Sequence, residues 1–424
     1  MLMGVAVATV LGAASCKKSV IPAAKGDSVL FSAGLGGSES GTKTAYAGDN
    51  ASDRTLAENI NWLSGDQIRI WCKECSEPTL TTYGGMDHCA DYTVTPESTA
   101  TQGKIAVNPG TVGLRWGEPK TTHYFYAVYP SPNTTGKNSD AGELGTPSGS
   151  PTVKTPFSFT GHIPTTQAIS GYTTESDVVD KNGNPIAVAA PDMTNLYMAS
   201  QGVSAKPEDT GDGVFLTFTP LSTAIEFTIT NDMTADDAMM QVESVSLLSE
   251  NHNISGAFTA DLATAWAKPV SKYTASGTSG ARCAYENTYP ACVEATGVTN
   301  GKTVTIDFSG TDACTTGIAK GRSLRFTVFL LPVTPGGSDS DDVDDLSFVI
   351  TRKDGEGYKS LQTKLSRTDG KDGNRIPFPV HKKTYVTGIL VPDSARWVID
   401  SQPIVTPWEN NDCDELDFGE DVDL

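Results

Sequence analysis

The chain has 424 residues, a formal net charge of −20 at pH 7, and many turn-forming residues, including 41 glycines and 24 prolines. A chain this acidic should repel nucleic acid and anionic lipid surfaces, so neither is an expected partner. Long helical patterns are nearly absent, and short apolar runs alternate with turn residues. The composition therefore predicts an all-β fold, and the length predicts more than one domain.

The N-terminus carries an apolar stretch, residues 1–11, followed by small residues and Cys16. The stretch is too short for a membrane-spanning helix, which needs about 20 residues. Small residues before a cysteine are typical of a bacterial lipoprotein signal peptide. Residues 1–15 would then be the signal, and Cys16 would carry the lipid that holds the mature chain on a membrane. The alternative is an ordinary apolar N-terminus with a chance cysteine.

The rest of the chain divides into two predicted β-rich units. Residues 16–28 are polar and indicate a tether, and residues 29–33 predict a first short strand. Further alternating runs predict a β-sandwich over 29–200, and the Gly- and Pro-containing stretch 201–213 predicts a linker. Strand patterns resume over 214–391 and predict a second β-sandwich. Because no long helical period separates the strands, parallel βαβ units are not expected.

Most cysteines fall into two clusters. In an exported chain each cluster could hold one disulfide bond and leave one thiol, and the pairing stays open. The same region offers a zinc alternative, since cysteine thiolates together with His88 are suitable ligand atoms. However, Cys72 lies in a predicted strand, and the adjacent residues His88 and Cys89 would have to bend sharply to bind one ion. No metal is therefore expected. The clusters are Cys72, Cys75 and Cys89, and Cys283, Cys292 and Cys314.

The C-terminal tail, residues 392–424, extends beyond a complete-looking second unit. It contains two short apolar runs and ends in an acidic segment. Such runs could fold back on their own sheet or pair with the open sheet edge of another chain. Their candidate pocket-filling side chains are Val398, Ile404, Val405 and Trp408.

A series of short motifs follows the predicted signal peptide. They are Lys43-Thr44, Trp62-x2-Gly65-Asp66-x-Ile68, Tyr126-Ala127-Val128-Tyr129-Pro130, Leu196-Tyr197-Met198-Ala199, Phe218-x-Pro220-Leu221, Ile254-x-Gly256-x-Phe258 and His381-Lys382-Lys383-x-Tyr385-x-Thr387. In this order and spacing the chain resembles the fimbrillin-like proteins of Bacteroidales, which are the subunits of type V pili and their relatives. The resemblance covers nearly all of the chain, although each motif alone is loose.

The resemblance implies two tandem transthyretin-like β-sandwich domains and export as a lipoprotein to the outer membrane and cell surface. In that family a protease removes an N-terminal segment with the first strand, which exposes a hydrophobic groove in the N-terminal domain. The C-terminal segment of the next pilin subunit fills this groove, and the result is a fimbrium. For this chain it implies cleavage at Lys43 or Arg54, and donation of the four tail residues named above. No cofactor is implied, and an adhesive subunit would contact a glycan or protein receptor.

Catalysis is not expected. None of the five histidines stands beside a nucleophile in a recognisable motif, and no glycine-rich run has the frame of a phosphate-binding loop. The second functional hypothesis is a monomeric surface lipoprotein that binds glycan through exposed aromatic rings such as Trp116 or Trp266. That hypothesis predicts an uncut N-terminus and an N-terminal unit complete in itself.

Overall fold

The computed structural model describes residues 23–35, 62–75, 89–97, 102–109, 112–131, 158–173, 186–209, 213–232, 239–249, 253–261, 293–294, 301–331, 346–354, 357–364, 382–390, 398–399 and 404–407. Within them nearly all regular structure is β-strand, which confirms the all-β prediction. No helix in this part of the chain is long and apolar enough to cross a lipid bilayer.

Seven strands close into a barrel. Its interior is packed with large side chains because alternate residues of each strand point inward. Along β2, for example, Ile68 and Ile70 are fully buried among the barrel core residues. The neighbour order is β1 (Phe31–Leu35), β11 (Val214–Pro220), β10 (Met198–Ala205), β5 (His123–Tyr129), β2 (Asp66–Trp71), β3 (Cys89–Pro96) and β4 (Gln102–Val107).

Two further sheets share a second core and form a sandwich. At its centre Phe227 stacks on Phe326 and Phe348, with ring centroids 5.2 and 4.9 Å apart. One sheet has the order β21 (Val398–Ile399), β20 (Lys382–Leu390), β12 (Thr223–Asn231), β17 (Ser323–Leu330), β9 (Ile186–Pro191) and β8 (Ile169–Thr173), with β22 (Ile404–Pro407) also on β20. The other has the order β19 (Gly357–Lys364), β18 (Leu346–Asp354), β13 (Val242–Ser249), β16 (Thr303–Asp307) and β7 (Thr166–Gln167).

A small third sheet covers part of the outer face of the barrel. Phe258 of this sheet meets Tyr197 edge to face at 4.9 Å, and both belong to a core cluster that includes Trp71. The sheet consists of β15 (Val293–Glu294), β14 (Gly256–Asp261) and β6 (Ser158–Ile163). The described helices are α1 (Asp312–Thr315) and two short 3₁₀ helices, Met193–Asn195 and Pro207–Asp209.

The units differ from the predicted boundaries. Residues 201–205 belong to β10 and not to a linker, and β11 pairs with β1 and β10, so the barrel continues to Pro220. Strands β7, β8 and β9 come from the predicted first unit but pair within the two sandwich sheets. Pairing between distant segments leaves no mark in local composition, so sequence reasoning could not place it. The transthyretin-like arrangement stays an expectation.

Candidate strand-exchange site

The first described strand, β1, lies between two neighbours in the barrel wall. It runs antiparallel to β4, with Phe31 opposite Ile105, and parallel to β11, with Phe31 opposite Val214. Both edges of β1 therefore carry backbone hydrogen bonds. We call this strand the front strand, and the space it occupies between β4 and β11 the groove.

The inner face of the front strand is apolar and buried. Phe31 is 7% exposed, and its ring meets the rings of Tyr92 and Phe125 edge to face, each at a centroid distance of 5.3 Å. Val29 and Ala33 are buried beside it in the barrel core. Edge-to-face aromatic pairs contribute beyond the area they bury, so Phe31 is the main apolar anchor of the front strand.

The outer face of the front strand is different. Leu30 is 63% exposed, and Phe215 on the neighbouring β11 is 47% exposed. A Cβ at Gly34 would overlap the Phe215 ring, so that ring lies directly over the glycine backbone. Gly213, just before β11, has a φ of 93°, and a Cβ there would lie 2.7 Å from the Leu30 carbonyl oxygen. Both glycines thus permit close approach of the front strand and β11.

The residues before the front strand are tied to the barrel by backbone hydrogen bonds. The Val29 N–H donates to the Leu114 carbonyl at 3.0 Å, and the Gly26 N–H donates to the Trp116 carbonyl at 2.9 Å. The Val214 N–H donates in turn to the Leu30 carbonyl at 2.8 Å. The observed strand is Phe31–Leu35 and not 29–33, but the predicted residues Val29 and Ala33 are both buried.

Tyr92 brings a polar group, its hydroxyl, to the floor of the groove. The Tyr92 hydroxyl oxygen accepts a hydrogen bond of 2.7 Å from the Leu114 N–H. Burial raises the pKa of Tyr92 well above its ordinary value. A floor lined by buried rings such as those of Tyr92 and Phe125 can receive a strand that presents similar apolar side chains on one face.

The predicted processing and lipidation residues cannot be placed. Cys16, Lys43 and Arg54 lie outside the described residues. In chain order both cleavage candidates fall between Leu35, the last residue of the front strand, and Trp62. Trp62 is buried in the barrel, where its ring meets those of Tyr129 and Phe218 edge to face.

The tail pairs with its own chain in the structure. Strand β21 pairs with β20 through Val398 opposite Ile389, and β22 pairs with β20 through Val405 opposite Thr384. The predicted donor residues Val398, Ile404 and Val405 thus lie on strands along one edge of β20, and Trp408 lies outside the described residues. This is the arrangement expected from the alternative in which the tail folds back on its own sheet.

The described cysteine side chains are buried. Cys72 and Cys75 lie in the barrel core, Cys89 lies on the outer face of the barrel wall, and Cys314 lies in the sandwich core. Cys283 and Cys292 are outside the described residues. Burial raises the pKa of Cys89 and of Cys314 to about 11. Among the described residues no group of three His, Cys, Asp or Glu side chains could hold a metal ion.

The glycan hypothesis loses one of its two candidate rings. Trp116 is 2% exposed and packs edge to face on Phe125 inside the barrel, so it cannot stack on a sugar. Trp266 lies outside the described residues.

Gly117 packs against the turn that contains Cys72 and Cys75. A Cβ at this position would overlap the carbonyl oxygen of Glu74 and lie 2.9 Å from the His123 Nε2 atom. We therefore expect Gly117→Ala to lower the free energy of unfolding by about 1–3 kcal/mol, because backbone atoms would have to shift.

The matched control is Gly171→Ala in β8, where the nearest atom is the Ala190 Cβ at 3.9 Å. It should change stability by less than ~0.5 kcal/mol in urea unfolding. Equal effects would contradict this packing.

Comparison with known proteins gives structural neighbours only. No family model matches the chain, and no curated protein matches it. A Bacteroides uniformis structure, provisionally described as a cell adhesion protein, is similar at a TM-score of 0.42 and 14% identity, covering 90% of this chain and 99% of that one. A fimbrial assembly protein from Parabacteroides distasonis has a TM-score of 0.34 and 10% identity, with coverage of 90% and 99%.

A third neighbour is a fimbrial protein from Bacteroides vulgatus, with a TM-score of 0.36, 12% identity, and coverage of 90% and 99%. Because the TM-scores are below 0.5, we base the functional proposal on this chain's own strands.

Proposed function

We propose that this chain is a structural subunit of a fimbria at the cell surface that serves adhesion and polymerises by strand exchange. In this proposal the front strand is a temporary occupant of the groove. Proteolysis between the front strand and Trp62 releases it, and the tail of another copy takes its place. The chain acts as a building block and not as an enzyme.

The observation that supports the proposal most directly is the position of the front strand. It is the first described strand of the chain, yet it lies within the barrel wall with a neighbour on each side. One cut between Leu35 and Trp62 would therefore separate it from the chain without cutting within or between any of the other described strands. Since Cys16 precedes the front strand, the same cut would separate the subunit from its proposed lipid anchor.

Loss of the front strand would leave an energetically unfavourable surface. The backbone groups of β4 and β11 that face it would lose their hydrogen-bond partners. The sites of Val29 and Phe31 would become open apolar pockets, and burying one such side chain contributes about 1.5–3 kcal/mol. A donated strand restores both the hydrogen bonds and the apolar contacts.

The tail is suited to be the donor because it is held less firmly than the front strand. Among the described strands, β21 and β22 each pair with β20 alone, whereas the front strand is paired on both sides. In an extended segment alternate residues share a face, so Ile404 and Trp408 would point to the same side and Val405 to the other. The two sites lie in different parts of the chain, so such contacts join copies head to tail and can continue from copy to copy into a filament.

Limited trypsin digestion of the purified full chain tests the proposal. N-terminal sequencing of the product should place the cut after Lys43 or Arg54, and the cut protein should form an SDS-resistant ladder in unboiled samples. The double variant Lys43→Ala/Arg54→Ala should stay uncut there and monomeric. A wild-type chain that remains monomeric after loss of the front strand would contradict polymerisation and favour the monomeric alternative.

A tail variant separates cleavage from donation. Ile404→Asp/Trp408→Asp should be cut normally but form no ladder, because two charges would have to enter an apolar groove. Asn410→Asp/Asn411→Asp is the matched control, since it adds the same charge just beyond the candidate strand and should polymerise like wild type. Ladders of equal strength from both variants would show that the groove does not take this segment.

A further inference from the structure

Two cysteine side chains face the same interior. Cys72 directly follows β2, where Ile68 and Ile70 point into the barrel, and the same alternation turns Cys72 inward. Cys75 is 2% exposed and belongs to the same core cluster. Two thiols three positions apart therefore share the barrel interior.

The backbone between them is a tight turn. The Cys75 N–H donates to the Cys72 carbonyl at 3.3 Å. A turn closed in this way keeps its first and fourth Cα atoms within about 7 Å of each other, and disulfide bonds span Cα distances of about 4.4–6.8 Å. Glu74 holds the turn in place, since its Oε2 atom accepts a hydrogen bond of 3.1 Å from the Tyr124 N–H.

The third cysteine of the cluster is on the other side of the barrel wall. Cys89 pairs in register with Trp71, whose side chain points outward. Both pack against the outer cluster that includes Tyr197 and Val128. The β2 and β3 backbones thus separate Cys89 from Cys72 and Cys75. Cys314 is in the sandwich core, where its thiol donates to the Glu243 Oε2 atom at 2.8 Å.

We propose that Cys72 and Cys75 are joined by a disulfide bond in the exported chain, and that Cys89 stays a thiol. This inference rests on the export step of the proposed function, because only an oxidising compartment supplies the oxidant. In the reaction the two thiols lose two protons and two electrons to the disulfide of a thiol oxidase. One S–S bond forms here, and the oxidase disulfide is reduced to two thiols.

The bond would form before the barrel closes. Burial raises the pKa of Cys72 far above its ordinary value, and the hydrogen bond between the Cys72 and Cys75 side chains acts in the same direction. The thiolate is the species that attacks a disulfide, so in the closed barrel Cys72 is unreactive. Because both residues are buried, a reductant could not reach the finished bond as long as the barrel stays folded.

Peptide mapping tests the pairing directly. The full chain is unfolded, refolded in a mixture of reduced and oxidised glutathione, and alkylated with iodoacetamide in denaturant. Trypsin with Asp-N then places the three cysteines on separate peptides, residues 70–73, 74–86 and 87–90. We expect a disulfide-linked pair of peptides 70–73 and 74–86, and an alkylated Cys89. A link from Cys89 to either residue, or alkylation of all three, would overturn the inference.

Protection and stability give independent readouts. Dithiothreitol should cleave the bond only in the presence of denaturant; cleavage in the native protein would overturn the placement of the bond in the closed barrel interior. Cys72→Ser/Cys75→Ser should lower Tm by roughly 4–8 °C. Cys89→Ser is the matched control and should retain the linked peptides. If the double variant fails to fold, the wild-type peptide map still shows whether Cys72 and Cys75 are joined.

The same map of protein from intact cells, quenched with acid, separates this inference from the proposed function. The linked pair in both samples supports the bond and export together. A linked pair after refolding, with thiols in the cellular protein, would overturn the native bond by contradicting export. Thiols in both samples would overturn the bond alone and leave strand exchange untouched.

Discussion

Phe31→Ala should lower the free energy of unfolding of the full chain by about 3–5 kcal/mol. The Phe31 ring fills the barrel between Tyr92 and Phe125, and both contacts would be lost together with the buried area of the ring. Residual cavity volume adds to the lost transfer free energy, because closed barrel walls relax only in part.

Urea unfolding followed by tryptophan fluorescence measures this effect, because Trp62, Trp71 and Trp116 are all buried in or on the barrel. Leu30→Ala is the matched control. Leu30 is the preceding residue but is 63% exposed, so its truncation should cost less than ~0.5 kcal/mol. If both variants lowered stability equally, the front strand would not be anchored through its inner face.

Asp91→Ala should destabilise the barrel by about 3–5 kcal/mol through a different mechanism. Arg69 and Asp91 face each other on β2 and β3, with Nε to Oδ1 at 2.7 Å and Nη2 to Oδ2 at 2.8 Å. The Ser131 hydroxyl also donates to the Oδ1 atom at 2.6 Å. Both charged side chains are almost fully buried, so removal of the carboxylate would leave a guanidinium without its bidentate partner in a low-dielectric setting.

The exposed pair of Lys104 and Glu97 provides the control for Asp91. Its Nζ to Oε1 distance is 3.7 Å, and the Lys104 side chain is 79% exposed. Glu97→Ala should therefore cost no more than about 1 kcal/mol in the same urea experiment. A loss of similar size for both variants would show that burial does not set the strength of the Arg69 pair. The double variant Arg69→Met/Asp91→Leu should recover most of the stability lost in Asp91→Ala.

Of the candidate site, the sequence predicted the front strand but not the strands that flank it. An apolar run after a polar tether predicted a first strand, and Val29 and Ala33 within it are indeed buried. Its partners could not be predicted, because β11 is a parallel neighbour far along the chain and no turn links the two. The strand is also displaced by two residues from its predicted bounds, since register depends on the strands beside it.

The cysteines illustrate the same limit. Spacing grouped Cys72, Cys75 and Cys89 but could not choose a pair among them. The pair that we propose follows from the wall of the barrel, which places Cys89 beside outward-pointing Trp71 and the other two inside.

The amino-acid sequence by itself determined the all-β class, an early strand near residue 30 and apolar runs in the tail. These follow from local signals, namely period-two alternation and turn residues, which act within a few positions. Only the tertiary structure decided that the early strand lies between β4 and β11, that the barrel extends to Pro220, and that the tail pairs with β20. These features are contacts between distant segments, and their energy depends on which surfaces the folded chain brings together.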